Sequence, residues 1–405
     1  MFDVIIIGGG PGGYVAAEEA GLLGLKTALI EKDALGGTCL NRGCIPTKSM
    51  LNSVKLYKHA QHSGQFGITA EHVALDFSAL MNWKNQSVTK LVSGIEFLMK
   101  KHSITVYKGT GTILEPHKVS IAETGEVLEG KHIIIASGSE PALPPIPGIK
   151  DNDCILTSDS ILTIQALPAS LCIIGGGVIG MEFANFFASA GTEVHVIEML
   201  PEILPFMDGE AVSVYKRTLR TIDIHTGAKV LEIKDNSVIF EEQGTQNTIT
   251  AEKILIATGR KAVFDKSQYE AMGIACTNKG ITVDDYCRTS VPGIWAIGDV
   301  TGRAQLAHTA SAMGRAVSLF IAGIEKRNEK PEASRIRIPW NYFPWVVYGE
   351  PECAGVGMTE AQAIASGMEI VKASIPARSN GRFLVEQGQT GHGLCKMLVD
   401  KRTEV

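Results

Sequence analysis

Short, continuous apolar runs that end in glycine-rich turns recur along this chain. Two of them, DVIII at 3–7 and LCII at 171–174, are typical of strands buried on both faces of a parallel sheet. Each is followed by a glycine turn, a stretch of helical character and a second apolar strand, TALIEK in the first case and EVHVIE in the second. This repeated order predicts an α/β fold that contains two parallel sheets covered by helices.

The two turns have the glycine spacing of dinucleotide-binding loops. The glycines let the backbone approach a pyrophosphate, the helix N-terminus favours its charge, and an acid at the end of the next strand accepts from a ribose hydroxyl. An isolated fingerprint often marks only a tight turn, but here both flanking elements and the acid occur twice. The residues are Gly8, Gly10, Gly13 and Glu31 in the first copy and Gly175, Gly177, Gly180 and Glu198 in the second. Because Glu198 would repel a 2′-phosphate, the second site should prefer NAD(H) to NADP(H).

The remaining pattern predicts further elements in order. Residues 47–63 and 78–101 have helical character, and 104–121 alternate like a set of antiparallel strands. The proline-rich stretch PALPPIPGI indicates a linker after a strand that ends in the turn ASG. A second strand ends in the turn ATG at 257–259, and a third buried strand, within 289–299, leads to Asp299 and then a helix.

The character of the sequence changes from about residue 330. Trp340, Tyr342, Phe343 and Trp345 cluster there and predict either core or a subunit interface. Residues 394–399 read as a strand, and a turn and the first residues of a partner strand, at 404–405, follow it. A hairpin cut after its turn leaves an unpaired edge, so we expect the sequence to be incomplete at its C-terminus.

Composition excludes several classes of function. The 405 residues are 45% hydrophobic and 20% charged, and the net charge of −5 does not favour nucleic acid or a basic membrane surface. The longest apolar stretch, 171–191, contains Glu182 and several glycines, so a membrane span is not expected. Met1 is followed almost at once by a buried strand rather than a signal peptide, and we expect a cytoplasmic protein. No metal site is predicted.

One cysteine pair stands apart from the rest. Cys39 and Cys44 lie five residues apart in GGTCLNRGCIPTK, at 36–48. In a regular helix their Cα atoms would be about 8–9 Å apart, whereas a disulfide needs about 4.4–6.8 Å, so a bridge requires a distortion that Gly43 would allow at least cost. Such a small ring would be readily reduced and therefore catalytic. The alternative is two unrelated free thiols in an intracellular protein.

These motifs together resemble the flavin disulfide reductases, the family that includes glutathione and mercuric reductases. The matching pieces are GGGPGG, GGTCLNRGCIPTK, GGGVIGME, the ATG turn, and GIWAIGDV followed by LAH, and they span almost the whole chain. The form NRGCIPTK and Glu198 favour the branch of dihydrolipoamide dehydrogenases. The resemblance implies two Rossmann-like domains with parallel central sheets and an incomplete α+β dimerisation domain. The implied FAD domain covers 1–145 and 270–335, the NAD domain 146–269 and the dimerisation domain 336–405.

The resemblance also implies roles for individual residues. Cys44 would be the thiol nearer the flavin, Cys39 the thiol that exchanges with the lipoyl disulfide, and Lys48 would lie near the flavin N5 and pair with Glu182. Further FAD contacts would be made by Lys32, Gly111, Ser137, Gly138, Asp299, Gln305, Leu306, Ala307 and His308, and further NAD contacts by Val230 and Gly259. Taken alone, Lys48 and Glu182 would be ordinary surface charges.

The implied reaction oxidises protein-bound dihydrolipoamide through the Cys39–Cys44 disulfide and FAD and reduces NAD⁺. The implied partners are a second copy of the chain and the lipoyl-bearing subunits of 2-oxo acid dehydrogenase or glycine cleavage complexes. Thiol exchange needs a base, which in the family is a histidine in a His-Pro-Thr-x-Ser-Glu motif near the C-terminus. No such motif occurs in this sequence, so either the chain is cut short or it lacks this base.

Neither remaining candidate histidine is expected to replace that base. His308 belongs to the flavin-side LAH segment, and His392 lies in a glycine-rich loop where a solvated role is expected. Smaller departures from the family pattern are Ser137, where threonine is usual, and Gly349-Glu350, where Thr-His is common.

Two other functions stay open: a disulfide reductase of the glutathione or mercuric type, and a non-catalytic flavoprotein subunit. The intact cysteine pair argues against the second.

Overall fold

The chain folds into two units, each assembled from three separate stretches of sequence. The computed structural model describes residues 1–327, 337–388 and 391–403. The first unit comprises Met1–Pro46, Asn82–Ala142 and Arg260–Trp340, and the second comprises Thr47–Met81, Leu143–Gly259 and Asn341–Val405. The partner strand predicted at 404–405 and residue 336, where the dimerisation domain should begin, lie outside the described residues. The division into three domains stays a prediction.

The first unit is built on a parallel sheet to which an antiparallel pair is added. The sheet order is β3-β2-β1-β6-β5-β4, and β17 pairs in parallel with β6. The strands are β1 (Phe2–Ile7), β2 (Thr27–Glu31), β3 (Thr105–Lys108), β4 (Gly111–Glu115), β5 (Lys118–Ile121), β6 (Val127–Ile135) and β17 (Ile294–Ala296). A separate antiparallel pair joins β7 (Ser139–Pro141) to β16 (Arg260–Ala262).

The expectation of an antiparallel set over 104–121 is only half right. Strands β4 and β5 are antiparallel, as predicted, but β3 lies parallel to β2 and extends the main sheet. Alternation along one strand reports which face is buried and says nothing about the direction of the neighbouring strand. The long helix before β3 works as a crossover connection, which returns the chain parallel to β2.

Helices cover the first sheet on the side of the glycine turn. Helix α1 packs against α8 so closely that the Ser318 hydroxyl donates to Ala16 O at 2.9 Å. The other face of the sheet packs around Ile5, Ile133 and Tyr269. The helices that lie within this unit are α1 (Pro11–Leu22), α2 (Gly37–Arg42), α7 (Lys266–Ala271) and α8 (Ala307–Ala322), whereas α3 (Cys44–Gln61) and α4 (Phe77–Lys101) contain residues of both units.

Four parallel strands of the second unit, β11-β10-β9-β15, repeat the order β3-β2-β1-β6 of the first. The whole five-stranded sheet has the order β11-β10-β9-β15-β8, and every pair in it is parallel. The strands are β8 (Ile155–Thr157), β9 (Ser170–Ile174), β10 (Glu193–Glu198), β11 (Ile222–Thr226) and β15 (Lys253–Ile256). A three-stranded antiparallel sheet of β12 (Ala228–Lys234), β13 (Ser237–Glu242) and β14 (Thr245–Thr250) accompanies it. The sequence duplication is therefore a duplication of these four strands, whereas the fifth parallel strand differs: β17 follows β6 in the chain, and β8 precedes β9.

The last part of the second unit contains two small antiparallel sheets. One pairs β18 (Trp345–Val347) with β19 (Cys353–Gly355), and the other pairs β20 (Ile370–Pro376) with β21 (Leu394–Asp400). The strand predicted at 394–399 is thus confirmed, and its partner precedes it in sequence. The helices of this unit are α5 (Val178–Ser189), α6 (Gly209–Lys216), α9 (Glu360–Ala365) and α10 (Gly381–Gln387).

Of the clustered aromatic side chains, Trp345 is half-buried against the core around Phe186, whereas Tyr342 is largely exposed. Among the described residues, no helix combines the length and the apolar character needed to cross a bilayer.

In both units a glycine lets a helix approach the strand before it. A Cβ at Gly13 would lie 1.8 Å from Gly8 O, and one at Gly180 would lie 2.0 Å from Gly175 O. Neither position can hold any other residue without moving the helix. By contrast, a Cβ at Gly177 would meet nothing within 4 Å. The third glycine of each fingerprint is therefore required by packing, and the second leaves open space in front of the helix N-terminus.

We expect Gly180→Ala to lower the free energy of unfolding by roughly 2–4 kcal/mol, because the added methyl overlaps a backbone carbonyl oxygen. The matched control is Gly177→Ala, in the same turn, where φ is −77° and the methyl has room; it should cost less than about 1 kcal/mol. Urea unfolding without added dinucleotide measures both. Equal losses in the two variants would contradict this account of the turn.

Candidate active site

The cysteine pair forms a disulfide at a break between two helices. Cys39 lies in α2, which ends at Arg42, and Cys44 is the first residue of α3. Between them Gly43 has φ −154° and ψ −106°, outside the helical region, and the two Cα atoms are 4.6 Å apart. The predicted distortion at Gly43 is confirmed, and the alternative of two unrelated thiols is wrong. The other six cysteines carry free thiols.

The segment that carries the disulfide begins against the first glycine turn. A Cβ at Gly37 would lie 2.6 Å from the Cα of Gly10, so the start of α2 is in backbone contact with that turn. The side-chain amide of Asn41 donates to Leu35 O at 3.0 Å and to Gly37 O at 2.9 Å, which fixes the entry into α2. Within the first unit, the predicted dinucleotide turn and the predicted redox segment are therefore adjacent.

The two fingerprint acids make the same pair of hydrogen bonds. Glu31 Oε2 accepts from Gly9 N–H at 2.6 Å, and Glu198 Oε2 accepts from Gly176 N–H at 2.6 Å. The second oxygen of each carboxylate accepts from a backbone N–H two residues further along, Asp33 and Leu200, at 2.7 Å in both cases. Each acid thus holds its own glycine turn through two hydrogen bonds.

A series of hydrogen bonds that the sequence did not predict connects Arg260, Ser139 and Asp299 in the first unit. Arg260 donates from Nε to the Ser139 hydroxyl and from a terminal nitrogen to Ser139 O, both at 2.8 Å. The Ser139 hydroxyl in turn donates to Asp299 Oδ2 at 2.6 Å, and Arg260 also reaches Thr38 Oγ1, beside Cys39, at 3.4 Å. Burial raises the pKa of Asp299, although Ser139 and Arg260 oppose that shift. Arg260 directly follows the ATG turn, which is the only signal that sequence reasoning could have used.

Lys48 and Glu182 meet around a third residue, Tyr348, in the second unit. The Lys48 ammonium lies 3.8 Å from the centre of the Tyr348 ring, and the backbone N–H of Tyr348 donates to Glu182 Oε1 at 3.0 Å. Burial raises the pKa of Glu182 to about 7, against the opposing effects of that hydrogen bond and of the Lys48 charge. Burial also lowers the pKa of Lys48, which the charge of Glu182 opposes. The two groups are electrostatically coupled, and Tyr348 is a contact that sequence reasoning missed.

The remaining predicted FAD contacts are spread over loops and over the first residues of β4 and α8 in the first unit. Ser137 donates to Val263 O at 2.6 Å, and Gln305 donates from Nε2 to Arg260 O at 3.2 Å. Gly138 has φ +74°, and a Cβ at Gly8 would lie 2.3 Å from Ala136 O, so the ASG turn abuts the glycine turn. Of the others, Gly111 begins β4, Lys32 is exposed after β2, Leu306 caps α8, and Ala307 and His308 are its first residues.

The predicted NAD contacts of the second unit lie near its own glycine turn. A Cβ at Gly175 would lie 2.5 Å from Ala257 O, which places the ATG turn against it, and Gly259 in that turn has φ +116°. Val230 is in β12. Just before this strand, Gly227 N–H donates to Leu200 O at 2.8 Å, and the N–H of Leu200 donates to Glu198. His392 is exposed, as expected for a solvated loop residue.

Both turns have the features that a dinucleotide requires. No side chain caps the N-terminus of α1 or α5, so the first-turn N–H groups stay available to a phosphate. A Cβ would find no atom within 3.8 Å at Gly10 and none within 4 Å at Gly177, which leaves room in front of each helix. In the first unit Gly8, Gly10, Gly13 and Glu31 would hold FAD, and in the second Gly175, Gly177, Gly180 and Glu198 would hold NAD.

Sequence comparison assigns the family. The profile described as pyridine nucleotide-disulphide oxidoreductase matches residues 2–314, and the dimerisation domain of that family matches residues 343–405. The chain belongs to this family. It is a flavoprotein oxidoreductase with a redox-active disulfide, and FAD and NAD are its cofactors. The family's dimerisation domain also supports a homodimer.

Curated relatives and solved structures of the family cover most of the chain. A Bacillus subtilis dihydrolipoyl dehydrogenase is 39% identical over 392 residues, which are 94% of this chain and 81% of the relative. The Geobacillus stearothermophilus dihydrolipoyl dehydrogenase is 37% identical over 412 residues, 100% of this chain and 85% of the relative. Among structures, the HOCl-induced flavoprotein disulfide reductase RclA from Escherichia coli has a TM-score of 0.83 and 29% identity, covering 99% of this chain and 87% of that one.

The buried Glu182 carboxyl should make stability depend on pH. Between its ordinary pKa of 4.5 and the raised value of about 7, the folded protein binds more protons than the unfolded chain, so stability falls as pH rises through this interval. Glu182→Gln removes the titration and keeps an acceptor for the Tyr348 N–H. We expect the stability of the variant relative to the original protein to rise between pH 4.5 and 7.5, as measured by urea unfolding at several pH values. Glu96→Gln, on an exposed part of α4, is the control and should give a profile parallel to that of the original protein.

Proposed function

We propose that the chain is a dihydrolipoyl dehydrogenase, which oxidises protein-bound dihydrolipoamide through the Cys39–Cys44 disulfide and reduces NAD⁺. The observation that carries the proposal is the disulfide itself, closed across a helix break and lying in the segment that contacts the first dinucleotide turn. A subunit that only bound FAD would have no use for such a bridge. The dihydrolipoyl dehydrogenase relatives, which match over nearly the whole chain, support the same substrate class.

The thiol chemistry requires two thiol–disulfide exchanges, the first at Cys39 Sγ and the second at the lipoyl sulfur of the mixed disulfide. A dihydrolipoyl thiolate attacks Cys39 Sγ, the bond to Cys44 breaks, and Cys44 leaves as a thiolate. The second lipoyl thiolate then attacks the mixed disulfide, so that oxidised lipoamide is released and Cys39 and Cys44 are both reduced. When bound, FAD supplies the two-electron chemistry that links a dithiol to a nicotinamide. Closure of the disulfide returns the chain to its starting state, with the electron pair and one proton on NADH and a second proton in solution.

Side chains of each unit would position and polarise the reacting groups. Arg260 holds the Thr38 hydroxyl beside Cys39 and is itself fixed by Ser139 and Asp299. In the second unit, Lys48 and Glu182 form a coupled pair whose shifted pKa values are typical of functional sites. We propose that Lys48 lies near the flavin N5 and that Glu182 tunes its charge.

The proposed partners follow from the substrate. Dihydrolipoamide is carried by the lipoyl-bearing subunits of 2-oxo acid dehydrogenase and glycine cleavage complexes, so such a subunit would dock to a homodimer of this chain. We also propose the division predicted from sequence, with an FAD domain at 1–145 and 270–335, an NAD domain at 146–269 and a dimerisation domain from 336. A cytoplasmic location stays a prediction.

A second candidate is a disulfide reductase of a different substrate class. The similarity to the flavoprotein disulfide reductase RclA, at 29% identity over 99% of this chain, supports this second candidate. Parallel assays of NADH oxidation with lipoamide and with glutathione disulfide separate the two. Turnover of glutathione disulfide alone would overturn the lipoamide assignment and leave the family assignment intact.

Cys44→Ser should abolish NADH-dependent lipoamide reduction, by a factor of about 10³ or more, because neither the disulfide nor the second thiolate can form. FAD should stay bound, since serine fills almost the same volume. Steady-state rates and the flavin absorption of the purified variant test both statements.

The control for that variant is Cys395→Ser, which removes an exposed thiol that takes part in no disulfide. It should keep full activity. Full activity in Cys44→Ser as well would show that the disulfide is not catalytic.

Glu198→Gln should reduce the preference for NADH over NADPH by about tenfold or more, because it removes a negative charge that repels the 2′-phosphate. The ratio of kcat/KM for the two dinucleotides is the measurement. Glu31→Gln changes the equivalent acid of the other turn, with the same two hydrogen bonds, and should leave this ratio unchanged while weakening FAD retention. A change of the ratio in both variants would contradict the assignment of NAD to the second turn.

A further inference from the structure

Two histidines and an aspartate meet at the edge of the second unit's parallel sheet. His195 in β10 is paired in register with Asp223 in the edge strand β11, and His225 stands two residues after Asp223. Because side chains alternate along a strand, all three project from the same face of the sheet. Their candidate ligand atoms all lie within 4.8 Å of one another. The glycine turns and the disulfide do not involve any of these residues.

Both ring nitrogens of His225 face carboxylate oxygens. Its Nδ1 is 2.8 Å from Glu242 Oε2, and its Nε2 is 3.1 Å from Asp223 Oδ2. A neutral imidazole donates from only one nitrogen, so with the proton on Nδ1 the Nε2 lone pair points at a carboxylate oxygen. The Nε2 lone pair and the carboxylate oxygen of Asp223 repel each other at this distance unless a cation or a second proton lies between them.

His195 contacts the same carboxylate oxygen. Its Nδ1 is 3.0 Å from Asp223 Oδ2, and its Nε2 is 3.5 Å from Glu193 Oε1. One carboxylate oxygen therefore stands between two imidazole rings, each of which has a carboxylate at its other nitrogen. Tetrahedral Zn²⁺ bound by nitrogen and oxygen at about 2.0–2.2 Å places neighbouring ligand atoms about 3.3–3.6 Å apart, a few tenths of an ångström beyond the 3.0 and 3.1 Å observed.

We propose that His195, Asp223 and His225 bind one Zn²⁺ ion, with water completing its coordination. Imidazole and carboxylate are ligands that Zn²⁺ prefers, and two histidines with one carboxylate form a complete protein ligand set when the fourth position is open. Glu242 fits the role of the carboxylate that holds a ligating histidine in the correct tautomer. His225 is also held by its ring, which lies 5.0 Å from that of Phe240.

The environment of the cluster suits a bound ion that solvent can reach. The side chains of His195 and His225 are 18% and 22% exposed, whereas Asp223 is 58% exposed. Because β11 is an edge strand, an ion here would also tie that strand to β10.

Zinc retention by the full-length, FAD-loaded protein tests the site. The protein is kept with its disulfide oxidised, in a Cys395→Ser background so that the exposed thiol takes no metal, and is stripped with EDTA. It is then equilibrated with Zn²⁺ and dialysed against metal-free buffer. We expect close to one zinc per chain in this protein and less than about a tenth of that in Asp223→Asn and in His195→Asn. His72→Asn replaces an exposed histidine outside the cluster, at a positive φ that asparagine accepts, and should retain zinc fully.

A second pair of variants separates metal binding from folding. Glu242→Gln should weaken zinc affinity by roughly 10- to 100-fold, measured by competition with a chromophoric chelator, because it removes the group that orients His225. Glu241→Gln, one position earlier on the same strand and exposed, should have no effect. Retention of zinc by none of the proteins would show that a second proton, and not a metal, bridges these groups. Equal retention by all of them would place the ion elsewhere; either result overturns the proposal.

Discussion

The backbone contact between the first and third glycines of each fingerprint is the constraint on which this structure depends. With Gly13 against Gly8 O and Gly180 against Gly175 O, each first helix begins directly beside the strand that precedes it. Because of that closeness, the uncapped helix N-terminus faces the open space in which we propose that a pyrophosphate is bound. The same closeness also brings the fingerprint acid close to the turn, so that its carboxylate accepts a hydrogen bond from a backbone N–H of the turn. Without the contact, neither dinucleotide site would have its shape.

Much of this arrangement could be predicted from sequence because it is local. The glycine spacing, the buried strands on either side and the acid at the end of the second strand all lie within about thirty residues of one another. The redox segment is equally compact, since two cysteines five residues apart can form a disulfide only if the helix is interrupted, and glycine is the residue that permits this. Such features are properties of a short piece of chain and need no knowledge of what packs against it.

The parts that sequence reasoning missed depend on distant segments. Arg260 and Ser139 become neighbours because β16 pairs with β7, and nothing in either segment indicates that register. Tyr348 contacts Lys48 and Glu182 only because the chain returns to them far along the sequence. The His195–Asp223 pairing follows from the register of two parallel strands, which a crossover connection leaves unspecified. The direction of β3 was predicted wrongly for the same reason, because alternation does not reveal the partner strand.

The division of the first unit among distant parts of the chain has a consequence for synthesis on the ribosome. Strand β17 and helix α8 complete the sheet and the helical layer that begin with β1 and α1, yet most of the second unit is translated before them. At roughly 5–20 residues per second, α8 follows β6 by on the order of ten seconds or more. During that time α1 lacks the helix against which it packs, while all strands of the second unit's parallel sheet are translated. The first unit therefore stays incomplete on the ribosome for longer than the parallel sheet of the second unit, and its apolar surface is exposed to solvent for that time.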